Sequence, residues 1–472
     1  MSNGTGVLGG RPAGVHVVVL DTTSLGDRSY LVHDGQVAFV IDPQRDIDRV
    51  LALAGRLGVE ITHVFETHLH NDYVTGGLAL AKVTGAAYHV NAADQVAFAH
   101  AGVRDGDVIE AGPLMSVRVA ATPGHTFTHL SYVLEAEGQV TGVFTGGSLL
   151  YGSTGRPDLL GAAHTAELAH AQFTSARRLA SLPDEAAIYP THGFGSFCSA
   201  TQAEGAASTI GREKLVNPVL TSSQEQYVAE LLAGLDAYPA YYAHMGPANA
   251  AGPAGPDLTP PRRADAAELR RRIEDGEWVV DLRGRVAFAA GHLAGTLSFA
   301  VGDSMATYLG WLIPWGTPLT LLGESPEQVA QAQRELARIG IDRPASAATG
   351  HPREWAGGQP LSSYRLARFT DLRAARQSRD VCVLDVRLGS EWQACHVDGA
   401  VHIPLHELRS RMTELAGREI WVHCQSGVRS SIAAAILDAA GYTVVAIDDD
   451  FERAADAGLS VVAQAGLAQA PA

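Results

Sequence analysis

The stretch ETHLHNDYVTGG, residues 66–77, follows the apolar run ITHVF and sets His68 and His70 one residue apart, with Asp72 and Tyr73 just beyond. On an extended segment, H-x-H alternation can bring both rings to one centre. The stretch therefore reads as a metal-ligand candidate at a strand end. Tyr73 stands where a third histidine would be expected, and a neutral phenol, with a pKa of about 10, is a poor ligand near neutrality.

Outward from this stretch, the chain opens with short β-type runs, VHVVVL, SYLVHDG and VAFVIDP, followed by the helical pattern DIDRVLALAGRLG. Strands alternating with helices predict an α/β fold. Four further pieces follow in order: TPGHT at 122–126, VFTGGSLL at 143–150, GRPDLL at 155–160 and YPTHGFGSFC at 189–198. They supply His125, Gly147, the pair Arg156 and Asp158, and His192.

The whole chain has 472 residues, 46% hydrophobic and 18% charged, which predicts several domains of ordinary globular composition. The formal charge of −16 is spread along the chain and disfavours nucleic acid and anionic membranes as partners. No apolar run approaches the ~18 residues that span a bilayer. The start lacks the pattern of a secretory signal. Four cysteines cannot form a disulfide framework, so a reducing, cytoplasmic setting is expected.

Pro-, Gly- and Ala-rich breaks at 245–262 and 343–363 divide the chain, and the blocks after the first break look like one unit written twice. Asp281, Arg283, His292 and Gly295 recur at the same spacing as Asp385, Arg387, His396 and Gly399. Aligning the closing glycines, Gly340 and Gly441, sets Gly323 opposite Cys424 and Gln328 opposite Arg429. In HCQSGVRSS, residues 423–431, an apolar strand, a tight loop and a helix follow one another. Cys424 then faces unpaired N–H groups at a helix start, with Arg429 nearby. That setting favours a thiolate, and the loop Gln425, Ser426, Gly427 and Val428 could equally cradle a persulfide or an anionic sulfur oxyacid. Cys382 reads as core, Cys395 as a loop residue, and Cys198 is left open.

The DVR…H-x-x-GA-x-x-IP run and the C-x-x-G-x-R-S loop resemble the rhodanese (sulfurtransferase) family. The resemblance implies that Cys424 carries a persulfide and that Arg429 helps bind the anionic sulfur donor or acceptor. Four residues between Cys and Arg, rather than the five of the related phosphatases, favour sulfur over phosphate. The first copy, with Gly323 and Gln328, is expected to be a catalytically silent rhodanese domain. Block one, through H-x-H-x-D and the four later pieces, resembles the metallo-β-lactamase superfamily.

Together the domain order resembles the bacterial persulfide dioxygenase–sulfurtransferase fusions. The implied architecture is an αββα sandwich over 1–244, a linker at 245–262, a silent rhodanese-like domain at 263–362 and an active one at 363–472. The implied cofactor is one Fe(II) per chain, with zinc as a possible substitute, held by two histidines and a carboxylate. By motif these are His68, His125 and the aspartate of FTGD, but this chain has Gly147 there. Three outcomes stay open: His70 completes an all-histidine set with His68 and His125, which is preferred; Asp72 swings in as the carboxylate; or the site is inactive. Asp72, Tyr73 and His192 are otherwise expected around the ligands or at the pocket wall.

The implied substrates are a small thiol persulfide and O2, with sulfite and thiosulfate as products, in a homo-oligomer. Two rival readings remain: a sulfurtransferase with a degenerate first domain, and a thioester hydrolase of the hydroxyacylglutathione type.

Overall fold

The computed structural model describes residues 14–201, 205–302, 304–415 and 417–463. The chain divides into two units, residues 1–257 with 334–342, and residues 258–333 with 343–472.

The first unit is built on two six-stranded sheets. One runs His16–Thr22, Asp27–His33, Val37–Ile41, Glu60–Phe65, Ala87–Asn91 and Ala101–Val103; the other runs Ser208–Thr209, Ala187–Pro190, Gln139–Gly146, Leu130–Ala136, Met115–Ala121 and Val108–Gly112. Side chains of a strand alternate between its faces, and here both faces are apolar. Val17, Val19, Tyr30, Val32, Phe39, Ile41 and Phe65 meet Val117, Val119, Tyr132 and Phe144 of the other sheet. The intervening Val18, Leu20, Leu31, Ala38, Val40 and Val64 pack outward on helices Asp48–Leu57 and Gly77–Thr84. The second sheet is covered in the same way by Ala162–Leu179 and Gln224–Ala233. This is the expected αββα sandwich. Phe65 and Phe144, with no exposed surface, contribute about 1.5–3 kcal/mol each by burial.

This layout positions the histidines. The carboxyl ends of Glu60–Phe65 in one sheet and of Met115–Ala121, Gln139–Gly146 and Ala187–Pro190 in the other lead directly into His68, His125, Gly147 and His192.

The second unit holds two parallel sheets. The first orders Leu297–Ser298, Trp278–Asp281, Leu319–Gly323 and Ser346–Thr349; the second orders Val401–His402, Val381–Asp385, Glu419–His423, Val444–Ile447 and Arg365–Ala367. Their common strands follow one order and share one register: Asp281 pairs Leu322 as Asp385 pairs His423. Gly323 and Cys424 therefore occupy equivalent places. Each copy buries the same polar device. Arg283 is bound to Asp281 and to the Gly291 carbonyl, and Arg387 to Asp385 and the Cys395 carbonyl.

One expected boundary differs. Residues 245–251 of the expected linker lie within helix Tyr242–Ala251. Proline at 247 would ordinarily weaken a helix interior, but Asn249 anchors this one. Its side chain accepts from Thr75 N and donates to the carbonyls of His70 and Tyr73, each at 2.9 Å. Among the described residues no helix is long and apolar enough to cross a membrane.

Candidate functional site

His68, His70, His125 and His192 are all buried. Thr67 Oγ1 donates to Asp42 Oδ2 at 2.7 Å, so it accepts from His68 Nδ1 at 2.9 Å and leaves His68 Nε2 with its lone pair. His125 Nδ1 faces the Arg156 carbonyl at 2.8 Å, an acceptor only, and its Nε2 has no partner. His192 Nδ1 lies 2.9 Å from Asp27 and 3.1 Å from Asp72. Its Nε2 is 3.4 Å from His68 Nε2. His70 points Nε2 at Asp42 and Glu66, 3.3 Å from each, and its Nδ1 has no partner. Each ring is thus held from behind by an oxygen, the arrangement that orients metal-ligating histidines.

Ligand atoms of His68, His70 and His192 lie within 4.8 Å of one another, as do those of His125, His192 and Cys198. His192 links the two groups. The electrostatics are consistent with this layout. Burial opposes charge on His192 and His70, yet Asp72 and Asp27 raise the first to about 10, and Asp42 with Glu66 raises the second to about 9. Burial and the neighbouring imidazoles push His68 well down and His125 to about 3. Asp27 is raised to about 7 by burial and by Asp72. Two partnerless imidazole nitrogens and two more facing each other suit a divalent cation, whose binding would displace the protons that the carboxylates behind the rings hold on His70 and His192.

The remaining expected residues fall into distinct positions. Asp72 does not face the inner nitrogens; it accepts from His192 and from Ser196 Oγ at 3.2 Å. Tyr73 stacks on His70 with ring centroids 4.3 Å apart, and its hydroxyl donates to the Asp42 carbonyl at 3.4 Å. At Gly147 the His125 ring fills the place of a side chain, for an added Cβ would lie 2.3 Å from His125 Cδ2. The motif aspartate is sterically excluded by the histidine it would assist. Arg156 makes a two-point ion pair with Asp158 at 2.6 and 2.7 Å and also donates to the Asp236 carbonyl, which makes it a clamp for this loop.

Asp27, Asp42, Glu66 and His129 were not singled out by sequence reasoning. Each carboxylate ends or borders an apolar strand, a signal shared by many structural residues. His129 is no ligand candidate, since its Nε2 accepts from Gly147 N at 3.0 Å and its Nδ1 lies 2.9 Å from Thr122 Oγ1.

In the second unit, Cys424 is 1% exposed. Its sulfur accepts from Gly427 N at 3.2 Å and lies 3.7 Å from Ser430 Oγ. Gly427, at φ 91°, turns the chain into helix Val428–Ala439 through a left-handed conformation that glycine adopts freely. Arg429 sits beside the loop in a two-point pair with Glu391, at 2.5 and 2.7 Å. Gln425 reaches away to Glu452. In the other copy Gln328 fills the loop. Its Oε1 accepts from Glu324 N at 2.7 Å and its Nε2 donates to the Leu282 carbonyl at 3.0 Å, so that cradle is closed by its own side chain.

Comparison with known proteins agrees with this layout. The metallo-beta-lactamase superfamily model matches residues 23–192, and the rhodanese-like domain model matches 369–456. Human persulfide dioxygenase ETHE1, mitochondrial, is 31% identical over 209 residues, covering 44% of this chain and 74% of that protein. The hydroxyacylglutathione hydrolase of a Polaromonas species is 34% identical over 160 residues, 33% of this chain, and the match spans only 57% of its length. A crystal structure described as a metallo-beta-lactamase from Staphylococcus aureus superposes with a TM-score of 0.64 at 26% identity, over 72% of this chain and all of that one.

Proposed function

We propose, for a chain that belongs to the metallo-beta-lactamase superfamily and carries a C-terminal rhodanese-like domain, that it is an enzyme of sulfur metabolism that oxidises a small thiol persulfide to sulfite and relays sulfane sulfur through Cys424. The observation that carries this reading is the pair of buried ligand groups that share His192, one with His68 and His70 and the other with His125, in a chain that also holds a rhodanese-type cysteine loop. The resemblance to a persulfide dioxygenase supports it.

The ligands assigned are His68, His125 and His70, with His192 as a fourth. Iron(II) held there would supply the activation of dioxygen towards sulfur. Asp27 and Asp72 fix His192, Asp42 and Glu66 fix His70, and the Arg156 carbonyl fixes His125. The protein's part is to present these donors without reorganisation. The overall change is RSSH + O2 + H2O giving RSH, sulfite and two protons.

At the second site the Cys424 thiolate attacks the outer sulfur of a persulfide. A bond forms from Cys424 Sγ to that sulfur, the S–S bond of the carrier breaks, and the carrier thiolate takes up a proton. The Gly427 N–H, already directed at Sγ, supports the anion. Sulfite then attacks the outer sulfur of the Cys424 persulfide, leaving as thiosulfate and restoring the thiolate.

The test is oxygen uptake with a small persulfide, read together with iron content. Stoichiometric iron and oxygen consumption with sulfite release are expected. Hydrolysis of an acyl thioester without oxygen would favour the hydrolase alternative, for which relatives such as the Polaromonas protein speak. Sulfur transfer alone, with no bound metal, would leave a plain sulfurtransferase.

A further inference from the structure

Within the second unit the two rhodanese-like copies meet beside the cysteine loop. His292 Nε2 of the silent copy lies 3.0 Å from Asp438 Oδ2 of helix Val428–Ala439, and Ser362 Oγ donates to the same oxygen at 3.0 Å. Trp311 of the silent copy stacks on His406 of the other, with ring centroids 5.0 Å apart. Between the copies lies a cavity of about 110 Å³. Its wall takes Arg285, Ser304 and Tyr308 from the silent copy, and Val428 and Ser431 from the helix that begins at the loop. Organic ligands ordinarily fill roughly 300 Å³ or more, so this space suits a compact ion. Among the described residues lining it, Arg285 is the only one with a charged side chain.

A short chain of contacts joins Arg285 to the sulfur. A Cβ at Gly427 would lie 3.2 Å from Arg285 Nε, and Gly427 N is the donor to Cys424 Sγ. Tyr308 faces the loop as well. It also lines a second cavity together with Arg429, and its phenol is raised by burial, with Arg429 lowering it and Cys424 raising it. The two arginines beside the loop are engaged differently. Arg429 gives both terminal nitrogens to Glu391, at 2.5 and 2.7 Å, and its side chain is 12% exposed. Arg285 donates through Nε alone, to Asp448 at 2.8 Å, and its side chain is 39% exposed. Its terminal nitrogens make no hydrogen bond among the described residues. A guanidinium edge with two free N–H groups matches two oxygens of an oxyanion.

We propose that Arg285, on the copy that lacks the cysteine, binds the sulfur oxyanion exchanged at Cys424: thiosulfate in one direction and sulfite in the other. The proposal rests on the sulfur relay described above and names the residue that holds its anion. The Cys424 thiolate attacks the outer sulfur of thiosulfate, the S–S bond breaks, and sulfite leaves with the bonding pair. The return step reverses this, and no oxidant is consumed. Arg285 holds the oxygens of either anion, while Asp448 competes for the same guanidinium. The silent copy thus keeps a binding role at its neighbour's cysteine.

The test is steady-state sulfur transfer to cyanide by the full chain, without oxygen, from two donors. One is thiosulfate; the other is the persulfide of N-acetylcysteinamide, which carries no oxyanion group. Arg285→Gln is expected to raise the thiosulfate KM at least fivefold with kcat within threefold, and to change kcat/KM for the persulfide less than threefold. A smaller rise in KM overturns the proposal. An equal loss with both donors also overturns it, because it marks a structural role, and leaves the relay through Cys424 standing. Should Arg285→Gln fail to fold, Asp448→Asn decides, since it removes the competing charge and keeps an acceptor oxygen. That variant is expected to lower the thiosulfate KM at least twofold, and an unchanged or raised KM overturns the proposal. No transfer from either donor by the wild type removes the relay and the anion site together.

Discussion

Restoring the missing aspartate, Gly147→Asp, is expected to damage the centre. An added Cβ would lie 2.3 Å from His125 Cδ2 and 2.6 Å from Cγ, whereas carbon atoms rest comfortably at about 3.5–4.0 Å. The ring has no room to retreat. A Cβ at Gly155 would come within 2.7 Å of His125 Nδ1, which places the Gly155 backbone along the ring too, and Nδ1 is tied to the Arg156 carbonyl. Overpacking of this kind costs about 1–3 kcal/mol, and breaking the buried hydrogen bond adds roughly 0.5–1.5 kcal/mol. A total near 3 kcal/mol corresponds to a fall in melting temperature of roughly 6–12 °C for a unit of this size. Thermal unfolding of wild type, Gly147→Ala and Gly147→Asp, with iron content measured on each, is the assay. The alanine variant carries the clash without the carboxylate and should fall nearly as far. An aspartate variant as stable as wild type, or one that retains more iron, would refute the reasoning, because His125 would then yield and a carboxylate would have a place.

Other expectations follow from single contacts. Asp72→Asn weakens the hold on His192 and should lower iron affinity about 10–100-fold with the fold intact, read by competition with a chelator. Cys424→Ser should abolish sulfur transfer to cyanide or sulfite while sulfite formation from persulfide continues; loss of both would place all activity on the cysteine. Gly323→Cys in the Cys424→Ser background should not restore transfer, since Gln328 still occupies that loop. Asp385 is buried, which raises its pKa, but His423 and Arg387 outweigh this and hold it below the ordinary carboxylate range. A depressed carboxylate stabilises the fold above its unfolded pKa of about 3.9 and loses that contribution as pH falls through its folded value. Unfolding followed from pH 6 downward should therefore show a loss below about pH 4 that Asp385→Asn removes.

Much of this was legible in the sequence, for reasons that can be named. Adjacent residues on a buried strand sort to opposite faces and residues two apart share one, so Val17 and Val19 turn to one core and Val18 and Leu20 to the other. The repeat was legible because Asp-x-Arg recurs at fixed spacing, and the sheet registers set Gly323 and Cys424 at equivalent places, as the alignment does. The histidines were legible as a set, but their orientation was not. Whether a ring offers Nδ1 or Nε2 depends on what stands behind it, and Asp27, Asp42 and the Arg156 carbonyl reach that position from separate segments of the chain. The fate of position 147 was hidden for a similar reason. A missing carboxylate is visible in one dimension, whereas the imidazole filling its volume is visible only in three.

The plugged loop has a consequence for how the chain's chemistry can be apportioned. Two copies of one scaffold, with the same buried Asp–Arg staple, travel in one polypeptide and meet identical solvent, temperature and expression history. One ends its central strand in a thiol, the other in a glycine whose loop is stoppered by an amide. Any response the two share, to acid, heat or oxidant, belongs to the scaffold. Whatever distinguishes them belongs to the few residues at a strand's end, so the molecule carries its own reference cell.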